Sequence, residues 1–335
     1  MLKHYGLKDG LKNGFKNNFK ISLLISLCFM VSAPIYAWDL GEEGTFQFEK
    51  VNDNVYVMHG PLSEPSAANQ GFMNNPGIIV SDNGLIVIDP GSAYQVGQQV
   101  LNEIKKISDK PVLAVFNTHI HGDHWLANQA IKEKYPEAKI YGHPDMIKQA
   151  TGEQGVIWVD MMMRLTEGKT KGTKVVAPEF SVNQGEVIEV DGQQFRVHSM
   201  VPAHTNTDIM IEHVQSKTLF LGDNSFYQRM GRFDGSASMM GNIKALEYAT
   251  ELQMNTYIPG HGRTGKSNTA IKPFLDYLIK VQQVVQVGFD DELQDFEIKE
   301  KVIAQFADYQ SWHGFDTNFG KHINSMYLEI EKTAW

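Results

Sequence analysis

Residues 117–125 read "NTHIHGDHW", and this stretch determines most of what the sequence predicts. Three histidines and one aspartate, all common metal ligands, occupy four of six consecutive positions: His119, His121, Asp123 and His124. A zinc site carried on a helix spaces its histidines four residues apart, as in the H-E-x-x-H motif. The spacing here is different, so the stretch predicts a metal site built on a loop.

The residues just before this stretch predict where it lies in the fold. The run "PVLAVFNT" at 111–118 is short and apolar, which is typical of a buried strand that ends at Thr118. Alternation along an extended chain would point His119 and His121 to the same side, and the other two ligands would follow at a turn over Gly122. This arrangement suits two neighbouring ions better than one.

The first 37 residues differ in composition from the rest of the chain. Five lysines precede the apolar run "ISLLISLCFMV" and then "SAPIYA", which predicts a signal peptide cleaved after Ala37 and a periplasmic or secreted protein. An uncleaved membrane anchor is the alternative, but the apolar run is shorter than the ~20 residues that a span needs. Cys28 follows Leu27 rather than the small residue that a lipoprotein signal requires. We therefore expect no stable membrane insertion after cleavage.

The predicted mature chain, residues 38–335, would form one large domain. It has 298 residues and no cysteine, which excludes disulfides. Removing five lysines and Asp9 from 30 basic and 39 acidic side chains leaves 25 and 38, a formal charge of −13. This acidity argues against nucleic acid or an anionic membrane as a partner. A small-molecule substrate is the expected partner, and no sequence feature indicates an oligomeric state.

Strand and helix patterns alternate along this domain. Strands and two hairpins are predicted at 54–60, 77–91, 138–143, 186–200, 208–223 and 256–262. Helices are predicted at 94–107, 126–135, 155–165 and 240–253, with a mostly helical tail from about 268. Hairpin-rich segments with interspersed helices predict two sheets packed face to face with helices outside.

Four further candidate ligands each end an apolar run. They are Asp89 in "VIDPG", His204 in "VPAHTNTD", Asp223 in "LFLGDN" and His261 in "IPGHG". Each is followed within two positions by glycine, asparagine or threonine, as expected where a strand delivers a side chain to a shared edge. Four such positions beside the histidine-rich stretch are not expected by chance.

With these residues in this order, the sequence resembles the metallo-β-lactamase-fold hydrolases over residues 51–262. The resemblance implies an α/β fold, an αββα sandwich of two mixed β-sheets flanked by helices, with a two-metal site at one edge. Six residues would bind the two ions in groups of three: His119, His121 and His204 for one ion, and Asp123, His124 and His261 for the other. Asp223 would bridge the ions, and Asp89 would brace the ligand loops.

The ligand types predict the chemistry of this site. Imidazole and carboxylate ligands without cysteine favour two zinc ions, and they also suit iron or manganese. Two cations depress the pKa of a water held between them, so a metal-bridging hydroxide would attack the carbonyl of an ester, thioester, lactone or lactam. Asp123, which would orient the hydroxide, and Asp223 are the catalytic candidates.

Departures from subfamily patterns narrow the resemblance. Zinc β-lactamases place cysteine or serine where this chain has Asp223. Glyoxalase II usually reads G-H-T-x-G-H where this chain has "AHTNTD", so Asp208 replaces the second histidine. The motif looks closer to periplasmic lactamase-like hydrolases associated with quinoprotein or sulfur-oxidation systems. Asp208 is predicted either to accept a hydrogen bond from a ligand histidine or to cap its own turn.

Two other classes of function remain as alternatives. The first is a mononuclear iron oxidoreductase of sulfur metabolism, because persulfide dioxygenases resemble this fold. The second is a non-catalytic periplasmic binding partner, which would have no need of a complete ligand set. Metal analysis separates the first alternative from a dinuclear hydrolase.

Several segments have two interpretations each. The insertion at 60–77 is either a flap over the metals or a plain surface loop. Tyr227, Arg229 and Arg232 either bind a substrate anion or are surface residues. The run "MMM" at 161–163 lines a soft pocket or belongs to the core. No role is assigned to the other histidines considered: His59, His143, His198, His213, His313 and His322.

Overall fold

The computed structural model describes residues 47–334. The predicted signal peptide, its cleavage after Ala37 and the interpretation of Cys28 lie outside these residues and stay predictions. No helix within 47–334 combines the length and the apolar character that crossing a membrane requires.

The first half of the chain forms a mixed seven-stranded sheet. Its strands lie in chain order: β1 (Glu49–Lys50), β2 (Val55–Val57), β3 (Gly77–Val80), β4 (Leu85–Ile88), β5 (Val112–Phe116), β6 (Lys139–Gly142) and β7 (Phe180–Ser181). Pairing is antiparallel from β1 to β4 and parallel from β4 to β7. The predicted hairpin turn at 82–84 joins β3 and β4, since their apolar runs are buried on both sides of a polar turn.

The second sheet has five strands and is also mixed. They are β8 (Val187–Val190), β9 (Gln193–His198), β10 (Met210–His213), β11 (Thr218–Phe226) and β12 (Thr256–His261). They lie side by side in the order β12-β11-β10-β9-β8, and only β11 and β12 pair in parallel. All nine residues of β11 are buried, so this central strand carries its polar residues into the interior.

Ten α-helices and one 3₁₀ helix cover the sheets in the described residues. They are α1 (Tyr94–Ile107), α2 (Gly122–Trp125), α3 (Asn128–Lys134), α4 (Pro144–Thr151), α5 (Glu153–Leu165), α6 (Met239–Glu251), α7 (Ser267–Ala270), α8 (Lys272–Asp290), α9 (Asp295–Val302), the 3₁₀ helix Ile303–Tyr309 and α10 (Phe315–Ala334). The tail beyond 268 is therefore helical, as predicted.

Three apolar layers hold these elements together. The inner faces of the two sheets meet in one cluster that includes Ile86, Phe116, Phe195 and Ile211. The first sheet packs its outer face against α1 and α3, and the second sheet packs against α6, α8 and α10. Full burial of one isoleucine or phenylalanine side chain contributes about 1.5–3 kcal/mol to the free energy of unfolding. The predicted αββα sandwich of two mixed sheets is confirmed.

The elements that the sequence did not predict are short or unusually capped. Strands β1 and β7 have two residues each, too few to show a period of two. Helix α4 begins after His143, whose Nδ1 accepts a hydrogen bond from the N–H of Asp145 at 3.2 Å. Histidine is not among the residues preferred at the start of a helix, so this cap went unrecognised.

Candidate metal centre

The seven predicted metal ligands come from four separate segments and meet at one place. Two follow strand β5 directly, two lie on the short helix α2, one lies between β9 and β10, one lies in β11 and one ends β12. All seven side chains are buried: His119, His121, Asp123, His124, His204, Asp223 and His261. The predicted turn over Gly122 is one turn of helix.

Their ligand atoms fall into two clusters that match the predicted grouping. The first contains His119, His121, His204 and Asp223, and its ligand atoms all lie within 4.8 Å of one another. The Nε2 atom of His204 lies 3.0 Å from Nδ1 of His121. The cluster is therefore compact enough for its side chains to hold one metal ion.

The second cluster contains Asp123, His124 and His261, again with ligand atoms within 4.8 Å of one another. The Asp123 Oδ2 atom lies 3.1 Å from Nε2 of His261 and 3.3 Å from Nε2 of His124. The two histidine Nε2 atoms are 3.3 Å apart. Three ligand atoms thus converge on a second point.

Asp223 contacts both clusters. Its Oδ1 atom lies 3.1 Å from Nε2 of His124, and its Oδ2 atom lies 3.5 Å from Nε2 of His204. The neighbouring strand leaves room for this carboxylate only because residue 260 is glycine, since a Cβ atom there would overlap Asp223 Oδ1. The carboxylate of Asp223 therefore lies between the two clusters.

The donor set fits divalent metal ions. The buried Nε2 atom of His119 has no hydrogen-bond partner, which is costly for a buried polar atom unless an ion occupies its lone pair. Burial lowers the pKa of His119 well below its usual value and, helped by the charge of His121, lowers that of His204 to about 3. These histidines are therefore neutral, the form that binds metal.

The carboxylates in the clusters are ionised. Burial alone would raise the pKa of Asp123 and Asp223, but the charges and hydrogen bonds of His124 and His261 outweigh it and hold both values well below the usual range. The same carboxylate charges raise the pKa of His124 and His261, so the two buried carboxylates supply the negative charge that attracts cations to the clusters.

Hydrogen bonds fix which ring nitrogen of three histidines faces the clusters. His261 donates from Nδ1 to the carbonyl of Met73 at 2.8 Å, so its Nε2 lone pair is free. His124 donates from Nδ1 to Oδ2 of Asp89 at 2.8 Å. The Thr118 hydroxyl also donates to that oxygen, so it accepts from Nδ1 of His119 at 3.0 Å. Such partners orient a metal ligand and raise its basicity.

Asp89 is the hub of this support. Its two carboxylate oxygens accept hydrogen bonds from the backbone N–H and hydroxyl of Thr118, at 2.8 and 2.6 Å, as well as from His124. Its own φ of +49° makes a sharp left-handed turn at the end of β4. This geometry agrees with the predicted bracing of the ligand loops.

Asp208 does not contact a ligand histidine, so that prediction is corrected. Its carboxylate accepts hydrogen bonds from the backbone N–H and the hydroxyl of Thr205, at 2.6 and 2.7 Å. Burial raises the pKa of Asp208 to about 7. The carboxylate caps its own turn, the alternative prediction, and so fixes the loop that carries His204.

Sequence reasoning missed residues that surround the clusters. Asp234 Oδ2 lies 3.5 Å from Nε2 of His121, and the Trp158 ring centre lies 4.9 Å from that of His121. The Phe226 ring stacks on His261 with ring centres 5.6 Å apart. Asp234 follows no strand and Trp158 lies on a helix, so neither shows the strand-end pattern that revealed the ligands.

The sequence model of the metallo-beta-lactamase superfamily matches residues 69–261, more than half of the chain and the whole span of the two clusters. The chain belongs to the metallo-β-lactamase superfamily.

Individual relatives agree with this assignment. A hydroxyacylglutathione hydrolase of Synechococcus sp. (strain JA-2-3B'a(2-13)) is 26% identical over 208 residues, which are 61% of this chain and 63% of that protein. The chain thus spans somewhat less than two thirds of that relative. This relative is named a hydrolase, and the predicted metallo-hydrolase superfamily is confirmed.

Solved structures share the fold. The superposition on the sec-alkylsulfatase Pisa1 from Pseudomonas sp. covers 85% of this chain and 50% of the alkylsulfatase chain, with a TM-score of 0.66 and 17% identity. The superposition on a metallo-beta-lactamase from Pontibacter korlensis covers 70% of this chain and 98% of the lactamase chain, with a TM-score of 0.55 and 17% identity. At this identity, the likeness shows the metallo-β-lactamase fold alone.

The insertion at 60–77 packs beside the two clusters and is not a plain surface loop. The carbonyl of Met73 accepts a hydrogen bond from His261. The side chain of Asn75 donates to the carbonyls of Pro259 and Gly262 at 2.9 and 2.8 Å. Buried Arg229 donates to the carbonyls of Leu62 and Ser63 and pairs with Glu64. Arg229 therefore holds this insertion in place. Tyr227 is partly buried and Arg232 is exposed.

A cavity of about 240 Å³ opens over the clusters. Its walls include five of the proposed ligands and residues of α5 and the insertion: Glu64, Met73, His121, Asp123, Ile157, Trp158, Met161, Met162, Leu165, His204, Asp223, Arg232, Asp234 and His261. Met161 and Met162 thus line the pocket, although Met162 also packs into a small core cluster. The six histidines without an assigned role belong to neither cluster.

Proposed function

We propose that this chain is an exported dinuclear metal hydrolase, with zinc as the expected metal, that cleaves an ester, thioester, lactone or lactam of a small molecule. The observation that carries the proposal is Asp223, whose two carboxylate oxygens contact two separate histidine clusters. A carboxylate shared in this way is what a two-ion site requires, whereas a single ion would leave the second cluster without purpose.

The metals and the protein divide the chemistry between them. Two divalent ions, when bound, supply the Lewis acidity that acidifies water and polarises the bond to be cleaved. The chain holds them with the seven side chains of the two clusters. Asp123 lines the cavity, where one carboxylate oxygen would accept a hydrogen bond from the attacking water and orient it. Asp89 and Thr118 keep the histidine nitrogens correctly protonated for binding.

Two observations narrow the range of expected substrates: the names of the relatives, and one residue that differs from the glyoxalase II motif. Relatives named hydroxyacylglutathione hydrolase support hydrolysis of an acyl compound. Asp208 replaces a histidine of the glyoxalase II motif and turns away from the ligands to cap Thr205. We therefore expect S-lactoylglutathione to be a poor substrate.

The alternative of a mononuclear iron oxidoreductase has less support. It uses one cluster, and here the second cluster of Asp123, His124 and His261 is equally buried and equally compact. A binding protein without catalysis would not need the carboxylate of Asp123 exposed to the cavity.

The experiment is a turnover screen of the zinc-loaded protein against thioesters, lactones, aryl esters and β-lactams, with and without a chelator. The proposal expects chelator-sensitive hydrolysis of at least one class, and slower turnover of S-lactoylglutathione than of the best substrate. A protein that holds one iron ion per chain and consumes oxygen would overturn it.

A further inference from the structure

Helix α5 leaves a row of large apolar side chains in water. Ile157, Met161 and Leu165 are spaced four residues apart, so they lie on one face of the helix. Ile157 is 42% exposed and Leu165 is 44% exposed. Exposed apolar residues are ordinary when they are scattered singly, but a row of them marks a surface that binds something.

This row continues into the catalytic cavity. Ile157, Met161 and Leu165 line the same cavity as the metal clusters, together with Trp158 and Met162 on the adjoining face of α5. These five residues are called the α5 wall. Its inner end touches the centre, because the ring of Trp158 lies 4.9 Å from that of His121. The wall therefore runs without a break from a proposed metal ligand to solvent.

The cavity separates apolar from charged lining. Its charged residues outside the clusters, Glu64, Arg229, Arg232 and Asp234, come from the insertion and from the segment after β11; none comes from α5, whose one polar residue in the lining is Gln154. A substrate with an apolar and a polar end would bind in one orientation, with its apolar end on α5. Two methionines in the wall add adaptability, because their unbranched side chains repack around different shapes.

We propose that the substrate carries an apolar chain or ring of several carbons that lies along the α5 wall while the bond to be cleaved sits at the two clusters. The proposal takes the reacting centre from the proposed hydrolytic function and adds the substrate class. Continuity with the centre favours a substrate group over a second copy of the chain, which would need no path to the ligands.

The first test measures hydrolysis as a function of chain length. A fully buried methylene is worth about 0.8 kcal/mol, or about fourfold in kcat/KM, and a half-open wall about half that energy, or about twofold. Zinc-loaded protein should therefore hydrolyse p-nitrophenyl octanoate on the order of 50-fold more efficiently than the acetate. The double variant Ile157→Gln, Leu165→Gln keeps good helix formers and should flatten this dependence.

The control is Val156→Gln, which changes a 56% exposed residue of the same helix that does not line the cavity. It should keep the dependence of the unaltered chain. Hydrolysis that is equally efficient for acetate and octanoate, or a dependence that Val156→Gln removes as well, would overturn the α5 wall as a substrate site.

A binding readout separates failure of this inference from failure of the proposed function. Calorimetry with straight-chain carboxylates from acetate to decanoate should show affinity rising with length, and the double variant should lose the rise. If affinity rises while no ester, thioester or lactone is turned over, the hydrolytic function fails and the wall stands. If turnover occurs but affinity is flat with length, the wall fails. Flat affinity with a monomer–dimer change in the double variant would make α5 an interface instead.

Discussion

At the scale of single residues, Asp208 shows how a polar side chain supports a metal site without touching a ligand. Its carboxylate holds the N–H and hydroxyl of Thr205, next to His204. Asp208→Asn replaces one acceptor oxygen by a donor and loosens this turn. We predict about tenfold weaker zinc binding at the first site, the lower end of the range for residues that support ligands. A competition titration with a chromophoric chelator measures it.

The matched control is Asp82→Asn, an exposed aspartate in the β3–β4 turn, which should bind zinc as the unaltered chain does. Unchanged zinc affinity in Asp208→Asn would make Asp208 an ordinary turn residue with no consequence for the site.

The ligand residues could be predicted from the sequence because their residue types follow apolar runs in a specific order, although Asp223 lies inside β11 and His204 in the loop after β9 rather than at the predicted strand ends. Their neighbours could not. Asp234 reaches His121 because of the path of the irregular segment after β11, and Trp158 reaches it because of how α5 packs. The spacing of apolar residues along the sequence predicts neither contact. The partner of Asp208 was undecided for the same reason, since a four-residue spacing allows both a ligand contact and a cap.

At the scale of elements, the packing of α10 on α8 depends on a neutral histidine. His322 of α10 donates from Nε2 to the carbonyl of Gly231 at 2.8 Å and accepts from the Tyr277 hydroxyl of α8 at 2.7 Å. Burial lowers the pKa of His322 to about 4, against about 6.5 in the unfolded chain. Between these values the unfolded chain binds a proton that the folded chain does not, so stability falls as the pH falls from 6.5 towards 4.

We predict that His322→Gln reduces this slope by up to about 1.4 kcal/mol per pH unit within that window while lowering stability at neutral pH. Urea unfolding of the metal-free protein at a series of pH values measures it, because metal binding has its own pH dependence. A slope identical to that of the unaltered chain would show that folding does not lower the pKa of His322.

The long elements could be predicted because their period and turn signals agree. Helix α1 has the predicted limits, and both hairpins turn at the predicted asparagine or aspartate and glycine residues. Two-residue strands and helix α4, with its histidine cap, carry no comparable local signal. The α5 apolar row shows a further limit, since a helical period predicts a buried face and cannot tell a core from a cavity wall.

For the molecule as a whole, the predicted export would decide in which compartment the protein acquires metal ions and meets its substrate. The five lysines, the apolar run and Ala37 predict a mature protein that begins at Trp38. Mass spectrometry of the protein from its native cell envelope should give the mass of residues 38–335. A full-length chain in the membrane fraction would establish an anchor, and added lipid mass on Cys28 would establish a lipoprotein.

If two metal ions share the carboxylate of Asp223, the number of metal ions bound per chain must depend on this residue. Elemental analysis after dialysis against a weak chelator should give two zinc ions per unaltered chain. Asp223→Ala should hold at most one ion and lose most hydrolytic activity, because both clusters lose a common ligand, whereas Asp82→Asn should keep two. Two tightly held ions and normal turnover in Asp223→Ala would show that Asp223 does not bridge two metal ions.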